Sequence, residues 1–167
     1  MTARTDVAQV RNMTSHPTPS AADDWRTHLI EDDAGIGRVL ERTRRIAVLG
    51  IKTEVTGQPA FYVARYAQQA GYEVVPVPVY YPDVTEILGE RVHRSVAAVD
   101  PPVDMVNVFR RPADIPAHVD DIIAARPSSV WFQLGIRNGA AAEQLARAGI
   151  DVVQDRCLLV ELQRIGR

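Results

Sequence analysis

The chain has 167 residues, with 19 Lys+Arg against 21 Asp+Glu for a formal net charge of −2, four histidines and one cysteine. A chain of this length suits one domain that buries roughly 70% of its unfolded surface without covalent staples, and its charge balance removes the electrostatic footprint of a dedicated nucleic-acid binder. The lone Cys157 leaves no disulfide framework, the histidines lack zinc-site spacing, and no window reaches the ~18–20 apolar residues of a membrane helix or forms a secretory h-region, so a cytoplasmic protein without metal, nucleic-acid or membrane partners is expected.

Residues 1–23 are rich in Thr, Ser, Pro and Asp without periodicity, as in Thr14-Ser15-His16-Pro17-Thr18-Pro19-Ser20, and are expected to form a disordered tail ahead of one domain over 24–167. Ile36, Val39 and Leu40 fall at helical spacing, predicting a short helix over 34–45 whose Arg42, Arg44 and Arg45 form a solvated face. Ile46-Ala47-Val48-Leu49-Gly50 then reads as a buried strand ending on glycine, followed by a polar loop and a helix over about 59–70. Further strands are predicted at 73–77, 103–108, 129–133 and 151–153, further helices at about 114–125 and 139–148, and a terminal helix starting near Cys157. Gly71, Pro127 and Gly149 follow the three crossover helices, where stop signals belong. Strands apolar on both faces and separated by crossover helices specify an α/β fold, a doubly wound parallel sheet of about five strands in three α/β/α layers.

Ligands of such a sheet bind beyond the carboxyl ends of its strands, where strand order reverses. The loop after the first strand runs Ile51-Lys52-Thr53-Glu54-Val55-Thr56-Gly57-Gln58; Gly50 and Gly57 stand alone, so neither the G-x-G-x-x-G fingerprint nor the G-x-x-x-x-G-K-[ST] phosphate loop is present. Lys52, Arg110, Arg111 and Arg137 occupy three of these loops and are expected to converge at one mouth, which suits a ligand with several phosphates; pairing of each arginine with a nearby carboxylate is the alternative. The second strand ends Val74-Val75-Pro76-Val77-Pro78-Val79 without the acidic residue that holds ribose hydroxyls in NAD-binding folds. Its prolines read either as a rigid apolar wall for an adenine or as an ordinary turn.

Taken in order, Ile46-Ala47-Val48-Leu49-Gly50, Pro59-Ala60-Phe61-Tyr62-Val63-Ala64-Arg65-Tyr66, Gly71-Tyr72-Glu73-Val74-Val75-Pro76-Val77, Glu86-Ile87-Leu88-Gly89-Glu90-Arg91-Val92, Val106-Asn107-Val108-Phe109-Arg110-Arg111, Val130-Trp131-Phe132-Gln133-Leu134-Gly135-Ile136-Arg137-Asn138 and Val153-Gln154-Asp155-Arg156-Cys157-Leu158 resemble the small single-domain CoA-binding proteins. The resemblance covers about residues 35–165 and extends to the CoA-binding domain of the succinyl-CoA synthetase alpha subunit. It implies a Rossmann-like domain that takes coenzyme A or an acyl-CoA with its pyrophosphate at the loop after the first strand. By position, Gly50, Ile51 and Lys52 would lie along the phosphates, helix amides after Gln58 would help, Val77 and Pro78 would lie near the base, and Val108, Phe109, Arg110 and Arg111 would line the third-strand rim. The first loop departs from the Ser-Pro-Lys-type turn usual in these proteins, and its Glu54 would repel a phosphate unless it turns outward or pairs with an arginine.

A ligase of the succinyl-CoA synthetase kind needs a phosphorylatable histidine and a nucleotide-grasp domain, and His93 and His118 have no partner spaced for a catalytic pair. Cys157 reads either as a thiol activated by Arg156 and a helix start or as a small buried hydrophobe, with Asp155 as a candidate cap of that helix. The expected function is non-catalytic binding of CoA or an acyl-CoA by a sensor or accessory module, with no catalytic or metal-ligating residue assigned. An NAD(P)-dependent oxidoreductase on the same fold is the alternative, and a docking subunit that presents Tyr80, Tyr81 and Trp131 is a third reading.

Overall fold

A computed structural model describes residues 24–167; the tail expected at 1–23 lies outside the described residues. Strands β1 (Arg45–Leu49), β2 (Glu73–Val77), β5 (Met105–Val108), β6 (Ser129–Phe132) and β7 (Asp151–Val153) form one parallel sheet in the order β2-β1-β5-β6-β7. Side chains alternate across each strand, and here both faces are apolar. Ile46, Val48, Val74, Met105 and Trp131 pack under α1 (Asp33–Arg42), α2 (Pro59–Gln69) and α5 (Leu158–Arg164). Ala47, Leu49, Val75, Val106, Val130 and Phe132 pack under α3 (Val119–Ala125) and α4 (Gly139–Arg147). This is the expected three-layer α/β fold.

Local chemistry explains where the boundaries differ from the periodicity. The helix expected over 34–45 stops at Arg42, and Thr43 is extended; beyond it one carboxylate oxygen of Asp104 accepts the backbone N–H groups of Arg44 and Arg45 at 2.9 Å each, which holds the chain in its extended entry to β1. The helix expected over 114–125 begins as a 3₁₀ stretch, Pro112–His118, and becomes α-helical only at Val119. Pro116 lies inside that stretch, where it withholds an N–H and crowds the preceding turn. The helix C-termini follow their signals: Gly71 and Gly149 take φ of 96° and 80°, and Arg126 takes 51° ahead of Pro127.

Two features lie beyond the periodicity. A small antiparallel hairpin, β3 (Glu86–Ile87) and β4 (Glu90–Arg91), turns through Leu88 and Gly89, both at positive φ as a tight two-residue hairpin requires. At the other end of the sheet, a 3₁₀ turn over Trp25–His28 leads into Leu29, which bridges in parallel to Val152, and the Ile30 N–H donates to Val152 O at 2.9 Å. Trp25 packs against the core there, and Asp151 receives His28 Nδ1 and Arg42 Nη2 at 2.6 Å each.

The strand order places the site. From β1 the chain crosses to β2 on one side, then returns across to β5 on the other, so the topological switch point lies between the carboxyl ends of β1 and β5.

Candidate functional site at the strand switch point

Gly50 ends β1 with φ 84°, donates its N–H to Val77 O at 2.9 Å, and lies so close to the neighbouring loop that a Cβ there would stand 2.3 Å from Phe109 O. The glycine thus serves the approach of two backbone segments, the loops after β1 and β5. Ile51 is buried in the core beneath α2 and anchors the loop start. From there the lengthened loop makes a 3₁₀ turn over Glu54–Thr56 and returns through Gly57 to the N-terminus of α2. Glu54 is carried out of the way and pairs with Arg65 at 3.5 Å, which resolves the repulsion the sequence posed.

Between these loops lies a cleft of about 480 Å³, within the usual range for small-molecule sites. Lys52, Gln58, Phe109, Arg110 and Arg111 line it, together with Pro59, Ala60, Tyr62 and Val63 of α2 and Gln133, Leu134, Ile136 and Cys157 on the far side. Val77, Pro78 and Val108 are buried at their strand ends and are not among the lining residues. Arg137 is not among them either: it pairs with Asp155 at 3.4 Å and borders other grooves, so three of the four expected cations share the mouth.

These three cations differ in their partners. Lys52 Nζ stands 4.2 Å from the centroid of the Tyr80 ring and makes no ion pair among the described residues. The Arg110 guanidinium lies 5.7 Å from the same ring, is largely enclosed, and has Asp114 at 3.5 Å, with Nε buried and unpartnered. Arg111 is exposed and donates to Asp114 at 2.7 Å. Arg110 beside Tyr80 holds the phenol below its usual pKa, with Lys52 adding to the effect. The hydrogen bond from Arg111 likewise holds the Asp114 carboxyl below the usual carboxylate range. No side chain caps the N-terminus of α2, and Pro59 contributes no N–H, so the first helical amide facing the cleft is that of Ala60.

Tyr80, which the sequence also offered for a docking surface, stands at the edge of the site against Lys52 and Arg110, outside the residues that line the cleft. Its position depends on the chain between β2 and β3, where Arg94 donates to the carbonyls of Tyr80, Tyr81, Pro82 and Val84 and Tyr81 takes φ 64°. Trp131, also considered for docking, is fully buried and donates Nε1 to Arg156 O at 2.8 Å.

The far wall is ordered by Gln133, which is buried, donates Nε2 to Asn107 Oδ1 at 2.7 Å and accepts the Leu158 N–H at 3.3 Å. Cys157, half-buried, occupies the N-cap position of α5 without a side-chain cap bond. Asp155 does not cap that helix: at φ 57° it accepts the Gly135 N–H at 2.6 Å and pairs with Arg137, which ties the loops after β6 and β7 together. The Arg156 guanidinium pairs with Glu161 at 3.4 Å.

Residues 44–163 match the sequence profile of a family described as a CoA binding domain. The Bacillus subtilis (strain 168) protein YneT, itself uncharacterised, is 34% identical over 127 residues, which span 76% of this chain and 91% of that protein. A Thermus thermophilus protein designated ID.343 shares 39% identity with a TM-score of 0.74, covering 81% of this chain and 99% of that one. The fold also matches part of a dinucleotide-forming acetyl-coenzyme A synthetase from Ca. Korarchaeum cryptofilum, at 19% identity and a TM-score of 0.55, covering 65% of this chain and 25% of that one.

Proposed function

Because the chain belongs to the CoA binding domain family, we propose that the cleft at the switch point binds coenzyme A, as a module that holds the ligand without reacting it. The observation that carries this reading is the convergence of Lys52, Arg110 and the uncapped start of α2 on one mouth beside the Tyr80 ring. Lys52 and Arg110 supply charge-assisted bonds to the pyrophosphate, and the aligned amides of α2 add a partial positive charge. Arg111, at the outer rim, supplies a further cation that shares itself with Asp114. Tyr80 offers a ring for the base to stack on, in the role that Val77 and Pro78 were expected to fill.

A binding role also fits the chemistry of the lining. Among the described residues no histidine, aspartate or glutamate lines the cleft, so its walls lack the side chains that most often serve as general bases. The reading is tested by calorimetric titration with CoA, acetyl-CoA, NAD and NADP. CoA is expected to bind, and to bind more tightly than either dinucleotide. Absence of CoA heat at millimolar ligand, or tighter binding of NAD, overturns it.

A further inference from the structure

One loop at the mouth hangs on a single side chain. β2 ends at Val77, and the chain then runs out past Tyr80 before it reaches the β3–β4 hairpin. Among the described residues, the backbone over 79–84 is hydrogen-bonded to the rest of the chain only through Arg94. Arg94 Nη1 donates to Tyr80 O at 3.4 Å, and Nη2 faces the carbonyls of Tyr81, Pro82 and Val84 at 3.0, 3.2 and 2.6 Å. Four carbonyls turned onto one guanidinium wind the loop around it, and Tyr81 is held at φ 64°, left-handed backbone that a tyrosine seldom adopts. Arg94 itself stands on a rigid base. The His93 N–H donates to Pro76 O at 2.9 Å on one side; on the other, Ser95 Oγ and the Val96 N–H donate to Asp121 at 2.6 and 2.7 Å. The sheet and α3 thus fix the arginine, and the arginine fixes the loop.

The loop carries a pair of rings, Tyr80 edge-on to Tyr81 at 6.5 Å, with Lys52 Nζ 4.2 Å from the first centroid and 5.9 Å from the second. We propose that Arg94 is a positioning residue of the binding site: it does not touch the ligand, and it sets the affinity by placing the Tyr80 ring against Lys52 and Arg110. This rests on the CoA reading of the cleft, which Arg94 does not line. The bonds of Arg94 are solvent-exposed, so its removal leaves no buried polar group unpaired and the freed carbonyls turn to water. The loss then falls on the ring and spares the core.

The test has two readouts on the full chain, one of which needs no ligand. Arg110 holds the Tyr80 phenol below its usual pKa, with Lys52 and Arg111 adding to the effect. An absorbance titration comparing the wild-type chain with Tyr80→Phe identifies the Tyr80 step, and in Arg94→Ala that step is expected to rise toward the usual tyrosine value. The second readout is calorimetric titration with CoA. Arg94→Ala is expected to weaken CoA by roughly two- to tenfold, the worth of one aromatic contact, and to cause no further loss in the Tyr80→Ala background. Arg94→Lys keeps a cation with donors for the same carbonyls, so it is expected to move both readouts less, and it supplies the comparison should the alanine variant not fold. A Tyr80 step that stays in place in Arg94→Ala, an unchanged CoA affinity, or an equal loss with and without the Tyr80 ring overturns the positioning role and leaves the CoA site standing. Failure of the wild-type chain to bind CoA overturns the CoA reading itself, and the ligand role of Arg94 with it.

Discussion

Lys52, Arg110 and Arg111 carry the same formal charge but should not contribute equally. Lys52 has an aromatic face and no carboxylate, and Arg110 is largely enclosed; Arg111 is solvent-exposed and held by Asp114. Lys52→Ala and Arg110→Ala are each expected to weaken CoA by about 1–3 kcal/mol, and Arg111→Ala by less than either, measured by titration calorimetry. Unchanged affinity in both of the first two would remove them from the site. Gly50 and Gly57 form a second contrast, since both have positive φ but only Gly50 faces backbone, with Phe109 O where a Cβ would go. Gly57→Ala should cost about 1–2 kcal/mol of stability. Gly50→Ala should cost more, because Phe109 must move as well, and a urea titration in which the two variants match would refute the close-approach role. The loop cations were readable from sequence because their place follows from strand ends alone. The loop that carries Tyr80 also follows a strand end, but its course was not legible, because Arg94, fourteen residues beyond Tyr80, holds it through bonds to four loop carbonyls. For Arg137 the alternative of a carboxylate partner holds, and that partner, Asp155, comes from a loop eighteen residues away.

Among the elements, α4 shows how a cap can serve the site. Asn138 Oδ1 accepts the Ala141 N–H at 2.9 Å, and its Nδ2 donates to Pro112 O at 2.9 Å, so one side chain starts a helix and holds the rim of the cleft. Asn138→Ala is expected to lower stability by about 1 kcal/mol, while Asn138→Asp keeps the cap acceptor and loses only the bond to Pro112; chemical denaturation of both separates the two contributions. The five parallel strands and their crossover helices were legible because buried strands need apolar side chains on both faces and helix ends need glycine or proline punctuation. The β3–β4 hairpin was not, since four strand residues are too few for alternation to register and Leu88 is an unusual occupant of a positive-φ turn. The 3₁₀ start of the α3 segment was hidden for another reason: apolar spacing persists through Pro112–His118, and only the ring of Pro116 alters the hydrogen bonding.

For the whole molecule, burial together with neighbouring arginines pushes His118 and His93 below the usual histidine pKa of 6.5. As pH falls through 6.5 the unfolded chain takes up protons that the folded one resists, so these histidines make stability decline on acidification and leave it flat above about pH 7.5. Asp114 and Asp155, held below the usual carboxylate range by Arg111 and by the Gly135 N–H, add a second loss in stronger acid. Urea midpoints should therefore fall between about pH 7.5 and 5.5, and His118→Gln should flatten that decline. A wild-type midpoint that does not move would contradict it. The pairing of Leu29 with Val152 has a consequence for solubility. A five-stranded sheet ends in two rows of unpaired backbone groups that could template strands of other molecules. At β2 the exposed row is interrupted by Pro76, which has no N–H to offer, and its carbonyl is already taken by the His93 N–H at 2.9 Å. At β7 the row is screened by the stretch from Trp25 to Ile30 laid across it. That short stretch covers the edge through which copies of the sheet could join, and its removal is expected to promote edge-to-edge aggregation, read by light scattering.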